Sequence, residues 1–319
     1  WVGSTLVIDK SITLGTLMLF YSLVGYVISP IGSIITSNQT IQDALIAADR
    51  LFQIMDLEVE EESMLCFDLE PDMINGIVFE DVYFRYGSRK QVFEKLNLKI
   101  ETGKTTAIVG ESGSGKTTLV SLLQHIYPIQ DGEIRIGSYQ IKNLSNRSLR
   151  RYVGSVPQQI ELFAGTIIEN IALGDFNPDM QKITNIIEQL GLKEFIDRLP
   201  NGYNTIIGEH GTSLSGGERQ RIAIARMMYK DPMILIFDEA TSSLDSISER
   251  YVKKALDSLA KQGKTIIVIA HRLSTVKTAD NIVVLDQGKV AESGNHQSLL
   301  SKNGIYHRLW KEQFDEIDL

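Results

Sequence analysis

A glycine-rich loop between a short apolar run and a helical segment constrains the fold of this chain more than any other feature. Residues 110–118 read G-E-S-G-S-G-K-T-T and fit the pattern G-x-x-x-x-G-K-[ST]. Residues 105–109 before them are apolar and β-rich, and residues 116–124 read as a helix. Glycines allow backbone N–H groups to curl around a phosphate, and the helix N-terminus adds the positive end of its dipole. The sequence therefore predicts a strand, a phosphate-binding loop and a helix within an α/β domain.

A second run, residues 233–239 (M-I-L-I-F-D-E), leads from apolar residues into two acids. Such a run is typical of a buried parallel strand with carboxylates at its C-terminal edge. There Asp238 can hold Mg²⁺ through water, and Glu239 can orient or deprotonate an attacking water. In the loop, Lys116 can reach the β and γ phosphates of a nucleotide, and the Thr117 hydroxyl can bind Mg²⁺. The expected cofactors are ATP and Mg²⁺.

Residues 214–218 (L-S-G-G-E) separate one family from other proteins with such a loop. With the two preceding motifs they make the chain resemble the ATPase subunit of ATP-binding cassette (ABC) proteins. The resemblance implies that Ser215, Gly216 and Gly217 face the γ-phosphate of ATP held by a partner chain. Glu218 stands where many members carry Gln. The expected fold class is thus α/β, a P-loop NTPase (ABC ATPase) domain with a helical subdomain, and the active form is a dimer with ATP sandwiched between the chains.

Two further positions follow from the resemblance. Gln158 matches the family's glutamine that contacts metal and water and senses the membrane domain, with Gln159 beside it as an alternative. Tyr86 fits the aromatic residue that stacks on adenine, with Tyr83 and Phe84 as competing candidates.

Three more positions also rest on the resemblance. Asp245 ends S-L-D, which matches the D-loop, and His271 matches the switch histidine that contacts the γ-phosphate. Glu209 lies in G-E-H-G, which resembles an exporter element that contacts cytoplasmic loops of the membrane domain, although an ordinary turn is the alternative. The predicted catalytic residues are Glu239, His271 and Gln158, and the predicted metal ligands are Thr117, Gln158 and Asp238. The predicted nucleotide-binding residues are Tyr86, Gly110, Ser112, Gly113, Ser114, Gly115, Lys116, Thr117, Thr118, Ser215, Gly216, Gly217 and Asp245.

The first part of the chain is apolar and lacks charge between Lys10 and Asp43. Roughly 20 mostly apolar residues suffice to span a bilayer, and residues 12–31 supply them, although a buried core helix has the same composition. Apolar residues continue at helical spacing to Met55, with polar residues between them. We therefore expect the end of a transmembrane domain over 1–55, consisting of the last membrane helix and its cytoplasmic extension. An acidic linker over 56–75 and an ABC ATP-binding domain over 76–319 follow, with the helical subdomain near 163–199.

Composition limits the kinds of partner that the chain can bind. A net charge of −8 and a pI near 5.3 argue against a nucleic-acid surface. The single cysteine, Cys66, cannot form an internal disulfide. Because residue 1 is Trp and no signal peptide is evident, we expect a longer protein whose other membrane helices precede this segment.

One cassette behind a membrane helix, together with the Glu209 element, favours an exporter half-transporter. It would be a multi-pass protein of the cell membrane, with its ATPase domain on the cytoplasmic side. Residues 12–15 and 50–51 look similar to bacterial peptide and bacteriocin exporters, so peptide is the expected cargo. Export of a lipid or drug is the alternative, and a soluble non-transport ABC ATPase is a further one. The expected partners are a second copy or a related half-transporter, the chain's own upstream transmembrane domain, membrane lipid and the exported substrate.

Overall fold

The computed structural model describes residues 1–57, 66–208, 214–238, 246–269 and 276–315. The chain divides into two compact units, residues 1–61 and 62–319. Each unit has its own helices, and the sheets belong to the second one.

The first unit consists of α1 (Val2–Ile8) and α2 (Leu14–Met55). At about 1.5 Å per residue, the 42 residues of α2 extend for about 63 Å, twice the ~30 Å hydrocarbon core of a bilayer. Pro30 lies inside α2, and the hydroxyl of Ser33 donates to the Ser29 carbonyl nearby. Membrane helices tolerate proline where hydroxyls and neighbouring helices satisfy the freed backbone groups.

No residue of α2 is buried within the chain, and most of its large apolar side chains are exposed. By length and composition it is the one helix of the described residues that could cross a membrane. The predicted membrane helix and its amphipathic extension form this single continuous helix.

The described residues of the second unit form twelve strands. They are β1 (Ile77–Phe84), β2 (Phe93–Ile100), β3 (Thr105–Val109), β4 (Asp131–Ile136), β5 (Tyr139–Gln140), β6 (Val153–Val156), β7 (Gly165–Thr166), β8 (Ile206–Ile207), β9 (Ile234–Asp238), β10 (Thr265–Ile269), β11 (Asn281–Asp286) and β12 (Lys289–Gly294). The described helices of this unit are α3 (Lys116–Leu123), α4 (Asn146–Tyr152), α5 (Ile167–Ile171), α6 (Met180–Gln189), α7 (Lys193–Asp197), α8 (Gly216–Lys230), α9 (Ser246–Lys261), α10 (His296–Ser301) and α11 (Ile305–Asp315).

A six-stranded sheet forms the centre of this unit, in the order β12-β11-β3-β10-β9-β6. Its strands are parallel except β12, which pairs antiparallel with β11 at the edge. Both faces are covered: Leu235 and Phe237 of β9 pack into one core cluster, while Ile234 and Ile236 pack into the other. Burial on both faces explains the uninterrupted apolar run that the sequence displays in this strand.

An antiparallel sheet, β2-β1-β4-β5, covers one side of this core. The other core cluster includes α5, α6 and α8, and Ile183, Ile186 and Ile187 of α6 are buried there. These helices confirm the helical periodicity that the sequence predicts after Phe163. The small β7–β8 pair, which the sequence did not predict, joins the start of α5 to residues 206–207.

Residues 66–75, the second part of the predicted linker, pack on the ATPase unit. Leu69 and Ile74 are buried in its core, and the Leu69 N–H donates to the hydroxyl of Ser148 at 2.8 Å. Phe67 pairs with Leu144 in a parallel bridge. These apolar side chains cover the end of the core. The acidic residues just before them in the sequence favoured the prediction of a linker here.

Candidate active site

The carboxyl ends of four parallel strands meet at one edge of the central sheet. The register aligns Ile108 of β3 with Ile269 of β10, and Ile269 with Asp238 of β9. Strand β6 runs parallel beside β9 and ends at Val156. In such sheets ligands bind outside the carboxyl ends of the strands, so the described residues that follow β3 and β6, and Asp238 at the end of β9, are brought towards one site.

The phosphate loop, residues 110–118, follows β3 and leads into α3. Gly115 has a φ of 106° and caps α3, and a Cβ there would lie 2.6 Å from Cε1 of the buried Phe93. A Cβ at Gly110 would lie 2.2 Å from the Leu285 carbonyl oxygen. The tight loop therefore depends on glycine at both positions, because no side chain fits between it and the strands beneath.

Lys116 crosses the inside of this loop. Its Nζ donates to the carbonyl oxygens of Gly110 at 2.8 Å and Glu111 at 2.9 Å, and the residue is only 6% exposed. The ammonium and the first N–H groups of α3 concentrate positive charge at the loop, which is suited to an anion. Ser114 adds a buried hydroxyl oxygen with no hydrogen-bond partner among the described residues.

A cleft of about 420 Å³ opens over the loop. This volume lies within the ~300–1,000 Å³ typical of small-molecule sites. Gln158, two residues beyond the end of β6, lines the cleft with the loop, whereas Gln159 is not among its described lining residues. The described lining residues are Val92, Ser112, Gly113, Gly115, Lys116, Thr117, Thr118 and Gln158. Val92 was not predicted, because it belongs to no motif and reaches the cleft only through the packing of β2.

Of the three aromatic candidates, Tyr86 reaches the loop helix. Its hydroxyl donates to Thr118 Oγ1 at 3.2 Å, and its ring contacts Phe84 and Tyr127 edge-on at 4.8 and 5.1 Å between centroids. Phe84 is 2% exposed and belongs to the core. Tyr83 is half-buried in β1. The position of Tyr86 beside α3 is compatible with an adenine contact, and that role stays a prediction.

Several other predicted residues lie at the end of β9 or outside the described residues. Asp238 is the last residue of β9 and is 5% exposed. Glu239, which follows it, lies outside the described residues, as do Asp245, His271 and Glu209. Their predicted roles stay predictions.

The Ser-Gly-Gly element begins α8. Ser215 is the N-cap, and its hydroxyl accepts from the Glu218 N–H at 3.2 Å. Glu218 Oε2 in turn accepts from the N–H and the hydroxyl of Ser215, each at 2.8 Å. This capping box forms with either Glu or Gln, so Glu at position 218 preserves the start of α8 that Gln would provide. Ser215 is exposed, and Ser215, Gly216 and Gly217 are not among the described residues lining the cleft.

The second unit is a P-loop NTPase domain with the fold of an ABC ATPase. It contains the strand β3, the phosphate loop and the helix α3 in succession, and the strand β9, which ends at the acidic Asp238. Residues 93–242 match the family model described as ABC transporter. The structure is similar to that of a bacterial Atm1-family ABC exporter with ATP bound, with a TM-score of 0.81 and 36% identity, covering 94% of this chain and 52% of that one.

Curated relatives extend this likeness across both units. The ATP-dependent lipid A-core flippase of Saccharophagus degradans is 46% identical over 281 residues, covering 87% of this chain and 47% of that protein. The flippase of the same name from Legionella pneumophila (strain Paris) is 42% identical and covers 97% of this chain. The toxin RTX-I translocation ATP-binding protein of Actinobacillus pleuropneumoniae is 42% identical, covering 98% of this chain and 44% of that protein.

The chain spans about half the length of the curated relatives it matches. It carries an ATP-binding domain of the ABC transporter type, which follows a long apolar helix in the sequence.

Proposed function

We propose that this chain is the ATP-hydrolysing part of an ABC exporter. The observation that carries the proposal is the cleft over the phosphate loop, in which Lys116, Thr117 and Gln158 come together at the carboxyl edge of the sheet. Triphosphate oxygens would accept from Lys116 and from the N–H groups at the start of α3.

Mg²⁺ fits the oxygen donors at this edge. Thr117 and Gln158 line the cleft, and Asp238 ends the adjacent strand. No group of three or more His, Cys, Asp or Glu side chains that could hold a metal lies among the described residues. Mg²⁺ bound with a nucleotide needs no such cage, because it keeps waters and is held by one or two protein groups and phosphates. When bound, it would neutralise the charge that develops on the phosphates.

Two copies are proposed to form two sites. Ser215 is exposed at the N-cap of α8 and is not among the described residues that line its own chain's cleft. That arrangement favours a second chain as the one that receives Ser215, Gly216 and Gly217. The partner is a second copy or a related half-transporter.

Residues 1–55 are proposed to be the end of a transmembrane domain, 56–75 a connection and 76–319 the ATP-binding domain. The length and exposed apolar surface of α2 support this assignment. The protein would then be a multi-pass protein of the cell membrane, with the ATPase on the cytoplasmic side. The exported substrate would be recognised within the membrane part.

A lipid is the proposed cargo. Relatives named as lipid A-core flippases, at 40–46% identity, support this reading better than the peptide expected from the sequence. Peptide or protein export remains the second candidate, because the similar toxin translocation protein is 42% identical. Flipping of a fluorescent phospholipid in liposomes that hold the native protein, against uptake of a fluorescent peptide, separates the two candidates.

The ATPase role is tested with two variants of this chain in detergent. Lys116→Ala should lose nucleotide affinity, and unchanged ATP binding would contradict the assignment of the loop. Glu239→Gln should bind ATP but hydrolyse it very slowly. Rapid turnover by that variant would contradict the role of Glu239 as the group that orients or deprotonates water.

A further inference from the structure

Helix α11, near the end of the described chain, is fixed firmly to the ATPase unit. The Glu292 carboxylate on β12 accepts from the N–H groups of Ile305 and Tyr306 at 2.7 and 3.1 Å. Tyr306 is 1% exposed, and its hydroxyl hydrogen-bonds to His296 Nδ1 at 2.8 Å. The Trp310 ring lies 4.4 Å from the His296 ring. Such anchoring gives the next turn of the helix a defined position.

From this helix Arg308 reaches the phosphate loop. Its Nη2 lies 3.0 Å from Oε1 of Glu111, the second residue of the loop. The backbone carbonyl of the same Glu111 accepts from Lys116 Nζ at 2.9 Å. Glu111 is thus held between two cations, one on its carboxylate and one on its carbonyl.

This contact has an electrostatic consequence for anion binding. A carboxylate within the loop opposes the approach of a triphosphate, because like charges repel. A guanidinium at 3.0 Å offsets that charge and, through Glu111, restrains the turn that holds Lys116. Arg308 and Glu111 are 58% and 63% exposed, so the energy of the pair is modest and sensitive to salt.

We propose that Arg308 is a positioning residue for nucleotide binding, which offsets the charge of Glu111 and fixes the start of the phosphate loop. The inference rests on the proposed function, since it concerns how that site binds ATP. It makes α11, which lies outside every motif of the site, a determinant of nucleotide affinity.

The test measures the Kd for MgATP by calorimetry, with the 319-residue chain in detergent at low and high ionic strength. Arg308→Gln should weaken binding about two- to five-fold at low salt, with a smaller loss at high salt. Arg308→Lys keeps the charge and should recover most of the affinity. The double variant Glu111→Gln/Arg308→Gln should regain the part of the affinity that was lost to the uncompensated carboxylate, while the part that depends on the Arg308–Glu111 restraint stays lost. Glu312→Gln is the matched control and should leave the Kd unchanged, since it removes a second carboxylate near Arg308, at 4.0 Å, and leaves the Glu111 contact in place.

Two results would overturn the inference. One is an unchanged Kd for Arg308→Gln at low salt. The other is a loss of affinity in the double variant as large as that in Arg308→Gln alone, because Arg308 would then be a merely structural residue of α11. If the wild-type chain itself does not bind MgATP, the proposed function fails first, and the variants show no binding to compare.

Discussion

Gly115→Ala should destabilise the ATPase unit far more than the same change at Gly113, although both glycines belong to the phosphate loop and have positive φ. Gly113 has a φ of 82°, and nothing lies within 4 Å of a Cβ built there. Alanine at position 113 therefore meets only the backbone penalty of about 1–2 kcal/mol.

At Gly115 a steric cost is added. The new Cβ would lie 2.6 Å from Phe93 Cε1 and 3.0 Å from Cζ, and Phe93 is completely buried. Because the ring cannot retreat into solvent, overpacking adds about 1–3 kcal/mol. The expected total is about 2–5 kcal/mol, or roughly 4–20 °C in Tm at about 2–4 °C per kcal/mol for a unit of this size.

Trp310 fluorescence reports this unfolding directly, since Trp310 packs in the ATPase unit. The chain has two tryptophans, so the measurement uses a Trp1→Phe background, in which the fully exposed second reporter is removed. Phe93→Leu should reduce the penalty of Gly115→Ala. Equal Tm losses for the two alanine variants, or no relief from Phe93→Leu, would refute the steric argument.

Other perturbations have equally definite outcomes. Ser215→Ala removes the N-cap of α8 and should cost about 1 kcal/mol in the free energy of unfolding, whereas Glu218→Gln keeps the capping box and should cost little; equal losses in urea titrations would contradict this. Arg226 donates to both the carbonyl and the side-chain oxygen of the buried Asn170, at 2.8 and 3.0 Å. Arg226→Lys should therefore lower the free energy of unfolding by about 1–3 kcal/mol, and an unchanged urea midpoint would contradict this. Burial and the nearby Lys277 lower the pKa of His296 below its ordinary 6.5, so the unfolded chain binds the proton more tightly and stability should fall as pH decreases below about 6.5. His296→Asn should remove that part of the pH dependence, and an unchanged slope in thermal melts at pH 5–8 would exclude His296 as its source.

The elements of the site were predictable where local pattern and tertiary environment agree. Residues 105–109 form the predicted strand β3, and the helix predicted over 116–124 is α3, which ends at Leu123. In β9 an unbroken apolar run reflects burial on both faces of the sheet. These signals are local, so one sequence is enough to read them.

Contacts that depend on long-range packing were not predictable. Val92 lines the cleft and Arg308 meets Glu111 because strands distant in sequence bring them there. Residues 66–75 looked like linker, because the acids before them obscured the two apolar residues, Leu69 and Ile74, that cover the core. The cargo has no local signature either, and the expected peptide rested on a few residues around α2.

Complementation between two disabled chains tests most directly whether each ATP site is built from two copies. One chain carries Lys116→Ala and the other carries Ser215→Arg. Both also carry Glu239→Gln, so that ATP bound at an intact site is not hydrolysed during the measurement. Each variant alone should fail to retain labelled ATP. If the loop of one copy works with Ser215 of the other, mixing the two creates one intact site in each mixed dimer, and retention returns to a fraction of the Glu239→Gln level. If mixing restores nothing while the Glu239→Gln chain retains ATP, the two elements serve the same site in one chain, and the proposed sandwich is wrong.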